Sequence, residues 1–282
     1  MKKSIFELFK NEKLFSVKKS NYFDVYENFF SKYRDKDIVF LEIGVADGGS
    51  LSFFSDYFSP NSKIIGFDSN PGAKVFEKNN IKIFVGDQAS QKDWHNFFLK
   101  FGKLDIVLDD GGHTNKQQII TFENCFQNLN DNGLLVFEDT ESSYIKNFGN
   151  PSPYSFVNYA KKCVDTLYRD QNSVKSTKHP LLSKNLYSIH FFDSIIAFEK
   201  NSKKAITYDY IDNRGEHLED VTEMRNQMSL VNKYYNFRDL LIKYFPPILI
   251  LRKIFNFKFM TNLSFKIENF KLRKYFKNFK SK

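Results

Sequence analysis

Residues 185–200 read NLYSIHFFDSIIAFEK. Two β-rich runs, NLYSIHFF and SIIAFEK, are separated by Asp193 and little else. A connection that short joins neighbouring strands running in opposite directions. The chain before this pair has a different rhythm. IVFLEI (38–43), KIIGFD (63–68), IKIFVGD (81–87), LDIVLD (104–109) and LLVFED (134–139) are short apolar runs alternating with helical stretches near 51–58, 72–79, 91–101, 114–129 and 154–168. Repeated βα units imply a parallel sheet with helices on both faces, and strands that lack polar alternation are buried on both sides. DNG at 131–133 reads as a turn. The sequence therefore predicts an α/β protein with a mostly parallel, Rossmann-like sheet closed by an antiparallel C-terminal hairpin. A plain dinucleotide-binding sheet has no such hairpin.

The organisation follows from the same pattern. Tyr22, Val25, Tyr26, Phe29, Phe30 and Tyr33 recur at helical spacing, so 1–36 is expected to be a helical N-terminal segment. Residues 37–200 form the sheet domain, and 201–282 a helical basic extension. At 282 residues, 41% hydrophobic and 17% aromatic, with 33 Phe, the chain can bury a sizeable core. Cys125 and Cys163 lack metal-site spacing and are too few for a disulfide framework, which fits buried thiols in a reducing compartment. The N-terminus lacks the apolar core of a signal peptide. FPPILIL (245–251), the longest membrane candidate, is far short of the roughly 20 residues a spanning helix needs. The expectation is a cytoplasmic protein. Of 42 basic residues eleven lie in 241–282 against the single acid Glu268, so the remaining chain holds 31 bases and 32 acids. The net charge of +9 belongs to the tail, which weakens a nucleic-acid reading of the basic balance.

Ligands of open parallel sheets bind at the carboxyl ends of the strands. The first strand leads into Glu42-Ile43-Gly44-Val45-Ala46-Asp47-Gly48-Gly49, with spacing G-x-x-x-G-G in place of the dinucleotide fingerprint G-x-G-x-x-G. Glycines there let the backbone approach a ligand closely. The second strand ends at Asp68, placed to accept ribose hydroxyls, and the third at Gly86-Asp87-Gln88, where a side chain can meet an adenine amine. Acids on three successive strand ends repel phosphates and tolerate a sulfonium, which favours S-adenosylmethionine over NAD or ATP. Asp68 and Asp87 can equally well cap the turns that follow them. Asp109 and Asp110 end the fourth strand, and Glu138 and Asp139 the fifth. Side by side and unpaired, four such acids raise one another's pKa, a cost that a divalent cation removes. Oxygen-only ligands suit Mg²⁺, with Mn²⁺ or Fe²⁺ as alternatives.

LEIGVADGGSL (41–51), IIGFDSNP (64–71), VGDQ (85–88), LDIVLDDGGH (104–113) and LLVFEDTESSY (134–144) together resemble the class I S-adenosylmethionine-dependent methyltransferases. More narrowly, they resemble the metal-dependent macrolide-sugar O-methyltransferases of the mycinamicin and macrocin type, over about residues 20–200. The resemblance implies a seven-stranded sheet. It implies cofactor contacts from Glu42, Gly44, Asp68 and Asp87, with Asp109 near the methionine end; Gly48, Ser50 and Gln88 are grouped with them. It assigns the metal to Asp110, Glu138 and Asp139. It makes His113 the general base, in line with a side chain that titrates near neutrality, and Asp110 its catalytic companion.

The expected activity is methyl transfer from S-adenosylmethionine to a sugar hydroxyl, on a nucleotide-linked sugar or a surface-polysaccharide (capsule) precursor. An RNA methyltransferase using the basic tail and a non-catalytic cofactor-binding scaffold are the rivals. Residues 140–144 are expected to face the acceptor, and NFGNPSPYSF (147–156) to form a mobile lid. His190, His95 and Trp94 read as structural, His217 as a solvated residue, and His179 as a loop residue near the acceptor. The tail 241–282 is expected to pack on the body or a partner subunit of a homo-oligomer; a peripheral contact with the inner membrane face ranks second and RNA third.

Overall fold

The structure, a computed structural model, describes residues 2–148, 150–168, 182–206 and 211–215, and Phe270. The chain divides into a compact unit over Met1–Asp209 and a second over Tyr210–Lys282. The expected N-terminal segment is part of the first unit, to which every element below belongs. The tail expectations, and His179 and His217, lie outside the described residues apart from Phe270.

The strands β1 (Val39–Ile43), β2 (Lys63–Asp68), β3 (Ile81–Val85), β4 (Leu104–Asp109), β5 (Leu129–Phe137), β6 (Leu186–Phe192) and β7 (Ile195–Lys200) form one sheet in the order β3-β2-β1-β4-β5-β7-β6. The first five pair in parallel, and β7 runs antiparallel to both β5 and β6. The predicted hairpin is present and is turned at Asp193 and Ser194. The strand order reverses between β1 and β4, so the ligand crevice of an open α/β sheet falls at their carboxyl ends.

Helices cover both faces. Phe40, Ile106, Leu108, Leu134 and Val136 pack with α2 (Tyr22–Phe30) and α3 (Gly49–Tyr57). Leu41, Ile43, Val107, Leu135 and Phe137 pack with α4 (Gln91–Phe101), α5 (Asn115–Cys125) and α6 (Phe156–Leu167). Five α2 residues named for their periodicity are buried, and the Tyr26 and Phe30 rings stack with centroids 5.6 Å apart. Each fully buried aromatic of this kind contributes about 1.5–3 kcal/mol. Before α2 stands α1 (Ile5–Asn11), opened by a capping box in which the Ser4 hydroxyl accepts from Glu7 N and the Glu7 carboxylate accepts from Ser4 N.

Three local expectations are revised. Residues 72–79 form a 3-10 turn at Pro71–Phe76, because Asn70 caps it through Gly72 N and Pro71 fixes its first φ. DNG does not end a turn between separate elements but bulges out of β5. The register steps from Leu104↔Leu129 to Ile106↔Leu134, and Asn132 takes a φ of +64°. His95 is exposed on α4, while its neighbour Trp94 is buried and donates to the Gln88 carbonyl. No helix among the described residues is long and apolar enough to cross a membrane.

Candidate active site

Strand parity decides which acids meet. Successive side chains of a strand point to opposite faces. Glu42 is paired with Leu108, and Leu108 with Val136, all on the α2 face of the sheet. Two residues further on, Asp110 and Glu138 emerge on that same side. The ladder continues just far enough to hold them, with Asp110 N donating to the Ile43 carbonyl (3.0 Å) and Glu138 N to the Asp109 carbonyl (2.9 Å).

Asp109, expected near the methionine end, points the other way. It is fully buried over α5, where its carboxylate accepts twice from Gln88 Nε2 (2.8 and 2.7 Å) and once from Gly111 N (3.1 Å). Burial raises its pKa to about 6. Gln88 lies at the cleft wall, but its amide nitrogen is already committed. Nε2 also donates to Thr121, and Oε1 accepts from Gly112 N, which leaves that oxygen one lone pair for a ligand amine.

A cleft of about 500 Å³ runs along the strand ends. Asp47, Ser50, Asp68 and Asp87 line it, as do Gly44 and Asp110. Asp68 holds the β1 loop by accepting from Val45 N (2.8 Å) with one oxygen and from Asn70 N (2.8 Å) with the other. Asp87 accepts from Ala89 N and is exposed. Both acids thus cap turns and line the cleft at once. Gly48 has φ +76°, and a Cβ there would meet the Phe76 ring at 2.7 Å.

The other wall comes from the irregular segment 12–20 between α1 and α2, through Phe15, Ser16 and Val17. Glu42, expected as a cofactor contact, is sealed beneath this segment and does not line the cleft. Neither of its carboxylate oxygens has a hydrogen-bond partner, and its nearest opposite charge is Lys18 Nζ at 3.8 Å. Burial pushes its pKa up to about 7 against the pull of Lys18.

Lys18, which sequence reasoning did not single out, sits at the centre of the acids. Its side chain is 2% exposed, and Nζ lies 2.5 Å from Asp110 Oδ2 and 2.9 Å from Glu138 Oε2. Burial works against its charge, but Glu138, Asp110 and Glu42 more than reverse that and raise its pKa. Glu138 also accepts from the buried Tyr26 hydroxyl at 2.5 Å. Burial, with Asp110 beside it, drives the Glu138 pKa upward. Asp139 takes a left-handed φ of +50° and accepts from the Tyr22 hydroxyl at 2.6 Å, with Lys19 Nζ 3.0 Å away. Burial opposes its charge, but Tyr22, Lys19 and His113 hold its pKa below the ordinary value.

His113 is likewise left-handed, with φ +55°. Its Nε2 lies 3.6 Å from Asp139 Oδ2 and 3.8 Å from Asp110 Oδ1, while Nδ1 is buried without a hydrogen-bond partner. Ligand atoms of Asp110, His113 and Asp139 all fall within 4.8 Å of one another. The carboxylates of Asp110 and Asp139 are hard oxygen donors, and each already holds an ammonium, Lys18 on the first and Lys19 on the second, so the residues fit a divalent cation. Glu138, the third expected ligand, is turned toward Lys18 and Tyr26.

Residues 140–144, expected to face the acceptor, differ in exposure. Thr140, Ser142 and Ser143 are buried in a 3-10 turn, and Tyr144 is left exposed. The loop expected as a lid is pinned at the buried Asn150, which donates to the Ser142 carbonyl (2.7 Å) and accepts from Asn115. His190 is structural, as expected. It packs edge-on against Phe29 and shares a hydrogen bond with Ser188.

A protein-family profile described as a methyltransferase domain matches residues 41–140. The 8-demethyl-8-alpha-L-rhamnosyl tetracenomycin-C 2'-O-methyltransferase of Streptomyces olivaceus is 28% identical over 192 residues, covering 64% of this chain and 50% of that protein. The mycinamicin VI 2''-O-methyltransferase of Micromonospora griseorubida is 28% identical over 188 residues, covering 62% and 47%. The chain therefore spans about half the length of the curated relatives it matches. Among solved structures, MycE from the mycinamycin pathway, in complex with Mg and SAH, superposes with a TM-score of 0.62 at 24% identity over 72% of this chain and 55% of that one. That likeness bears on the fold.

Proposed function

We propose that the chain is an O-methyltransferase that uses S-adenosylmethionine and a divalent metal and acts on a sugar hydroxyl, a reading supported by the methyltransferase-domain profile over residues 41–140 and by the seven-stranded sheet order. The observation that carries the reading is the meeting of Asp110, His113 and Asp139, with Asp110 in the cleft wall. The relatives that act on rhamnosyl tetracenomycin-C and on mycinamicin VI are O-methyltransferases, which supports the same chemistry. Within that class, we place the hydroxyl on a nucleotide-linked sugar or a surface-polysaccharide precursor.

When bound, S-adenosylmethionine supplies an electrophilic methyl group, and a divalent cation supplies Lewis acidity that lowers the pKa of the acceptor hydroxyl. Asp47, Asp68 and Asp87 make the cleft acidic and favour a ligand carrying a sulfonium. Asp110, Glu138 and Asp139 would hold the cation. His113 Nε2 takes the proton of the acceptor hydroxyl. With S-adenosylmethionine bound, the oxygen so freed would be positioned to bond to the methyl carbon as the carbon–sulfur bond breaks, the electron pair remaining on sulfur. The carboxylates of Asp110 and Asp139, 3.8 and 3.6 Å from Nε2, stabilise the imidazolium left behind. Holding both reactants in one cleft supplies much of the rate.

The test is incubation with methyl-labelled S-adenosylmethionine and a panel of nucleotide sugars and polyketide glycosides, with and without EDTA. Label in a sugar ether, lost on chelation and restored by Mg²⁺, is the expected result. Full turnover after exhaustive chelation removes the metal from the reaction.

A further inference from the structure

The mechanism above leaves two charged residues unused. Lys18 and Lys19 are adjacent in sequence, and between them they contact all three acids assigned to the cation. Lys18 Nζ meets Asp110 and Glu138, and Lys19 Nζ meets Asp139. We propose that this lysine pair is an internal counter-cation for the site, so that a divalent ion can enter only by displacing it and lifting the segment 12–20 from the cofactor cleft.

The charges match. Two ammonium groups bring the same +2 as the ion they would stand in for. Their positions exclude each other. Mg²⁺ lies about 2.0–2.1 Å from its ligand oxygens. An ammonium at 2.5–3.0 Å from the same oxygens leaves the two cations within contact distance, where like charges in a partly buried site repel strongly.

The way the segment is held makes displacement feasible. Leu14, Phe15 and Val17 are 40, 67 and 71% exposed, and no residue of 12–20 belongs to either buried apolar cluster. What fixes the segment is polar. Lys18 plunges into the acids and Lys19 pairs with Asp139 and Glu141, while the Leu14 and Phe15 carbonyls rest on Gly49. Once the lysines are released, little apolar burial remains to keep Phe15, Ser16 and Val17 against the cleft. Metal occupancy and access to the cofactor are then linked, and the linkage acts in both directions.

The inference rests on Asp110, Glu138 and Asp139 being the cation site, so the experiment separates the two claims. Mn²⁺ is titrated into the full chain and the free ion is read by electron paramagnetic resonance, for the parent, Lys18→Met and Asp110→Asn. Methionine keeps the bulk of the lysine stem without its charge. In parallel, the parent is digested briefly with trypsin with and without Mn²⁺, and cleavage after Lys18 and Lys19 is followed by mass spectrometry. Lys18→Met should bind Mn²⁺ about tenfold more tightly, within the range of coupled sites, and Mn²⁺ should speed cleavage of the parent severalfold. Equal affinity in parent and Lys18→Met, with Asp110→Asn weakened, overturns the exchange and leaves the cation site standing. Cleavage that Mn²⁺ does not change also overturns it, and decides alone should Lys18→Met fail to fold. Asp110→Asn binding Mn²⁺ as the parent does removes the cation site, and the exchange with it.

Discussion

His113 holds its place through the backbone. Gly112 precedes it, and His113 itself adopts the left-handed conformation, which sets the ring over the gap between Asp110 and Asp139. Two roles are open to such a ring, proton acceptor or metal ligand, and one variant distinguishes them. His113→Ala should cut turnover by about 10²–10⁴, the usual worth of a general base, while S-adenosylmethionine affinity and Mn²⁺ affinity stay within about twofold of the parent. Calorimetric titration of both ligands checks this, and a large loss of Mn²⁺ affinity would make His113 a ligand. A second prediction concerns Tyr26. Its hydroxyl is wholly buried and donates to Glu138. Tyr26→Phe removes that donor without opening a cavity and leaves one oxygen of a buried acid with Lys18 alone. The expected loss is about 1–3 kcal/mol of stability, measured by urea unfolding in the presence of EDTA.

The elements that make the site differ in how openly the sequence shows them. The strands were legible because their apolar runs are continuous, and the hairpin because Asp193 leaves no room for a crossover. The parity that brings Glu42, Asp110 and Glu138 to one face was also legible in principle, since Phe40, Leu108 and Val136 share it. It separates Asp110 from Asp109, which the adjacency of the two acids obscures. The segment 12–20 was not legible. It has neither helical nor strand periodicity, and Lys18 meets Asp110 across 92 residues and Glu138 across 120. The Ser4-x-x-Glu7 spacing was the one local signal that a helix precedes it. A test of the segment's seating follows from α3. A Cβ on Gly49 would lie 2.5 Å from the Phe15 carbonyl oxygen and 2.6 Å from that of Leu14. Gly49→Ala should therefore push the segment off the cleft at a cost of about 1–3 kcal/mol. The readout is faster tryptic cleavage after Lys13 and Lys18 in metal-free protein, with the circular dichroism of the sheet domain unchanged.

For the molecule as a whole, the acid cluster makes metal-free stability depend on pH in an unusual direction. Glu42 is raised to about 7 from an ordinary value of 4.5 because it is buried. A carboxyl with a raised pKa binds its proton more tightly in the folded than in the unfolded protein. Its protonated form therefore favours folding below about 4.5, and that advantage is lost as pH climbs to about 7. Glu42→Gln should consequently raise the Tm of the EDTA-treated protein at pH 8 and change it little at pH 4.5, as followed by differential scanning calorimetry. An equal shift at both pH values would locate the effect elsewhere. One contact ties the two halves of the sheet's working edge together. A Cβ on Gly44, at φ +86°, would stand 2.1 Å from the Asp110 carbonyl oxygen. The turn that would receive the methyl donor and the residue that would anchor the metal thus touch backbone to backbone. Any side chain acquired at position 44 would shift both at once, so a change made there to suit one ligand would be felt by the other.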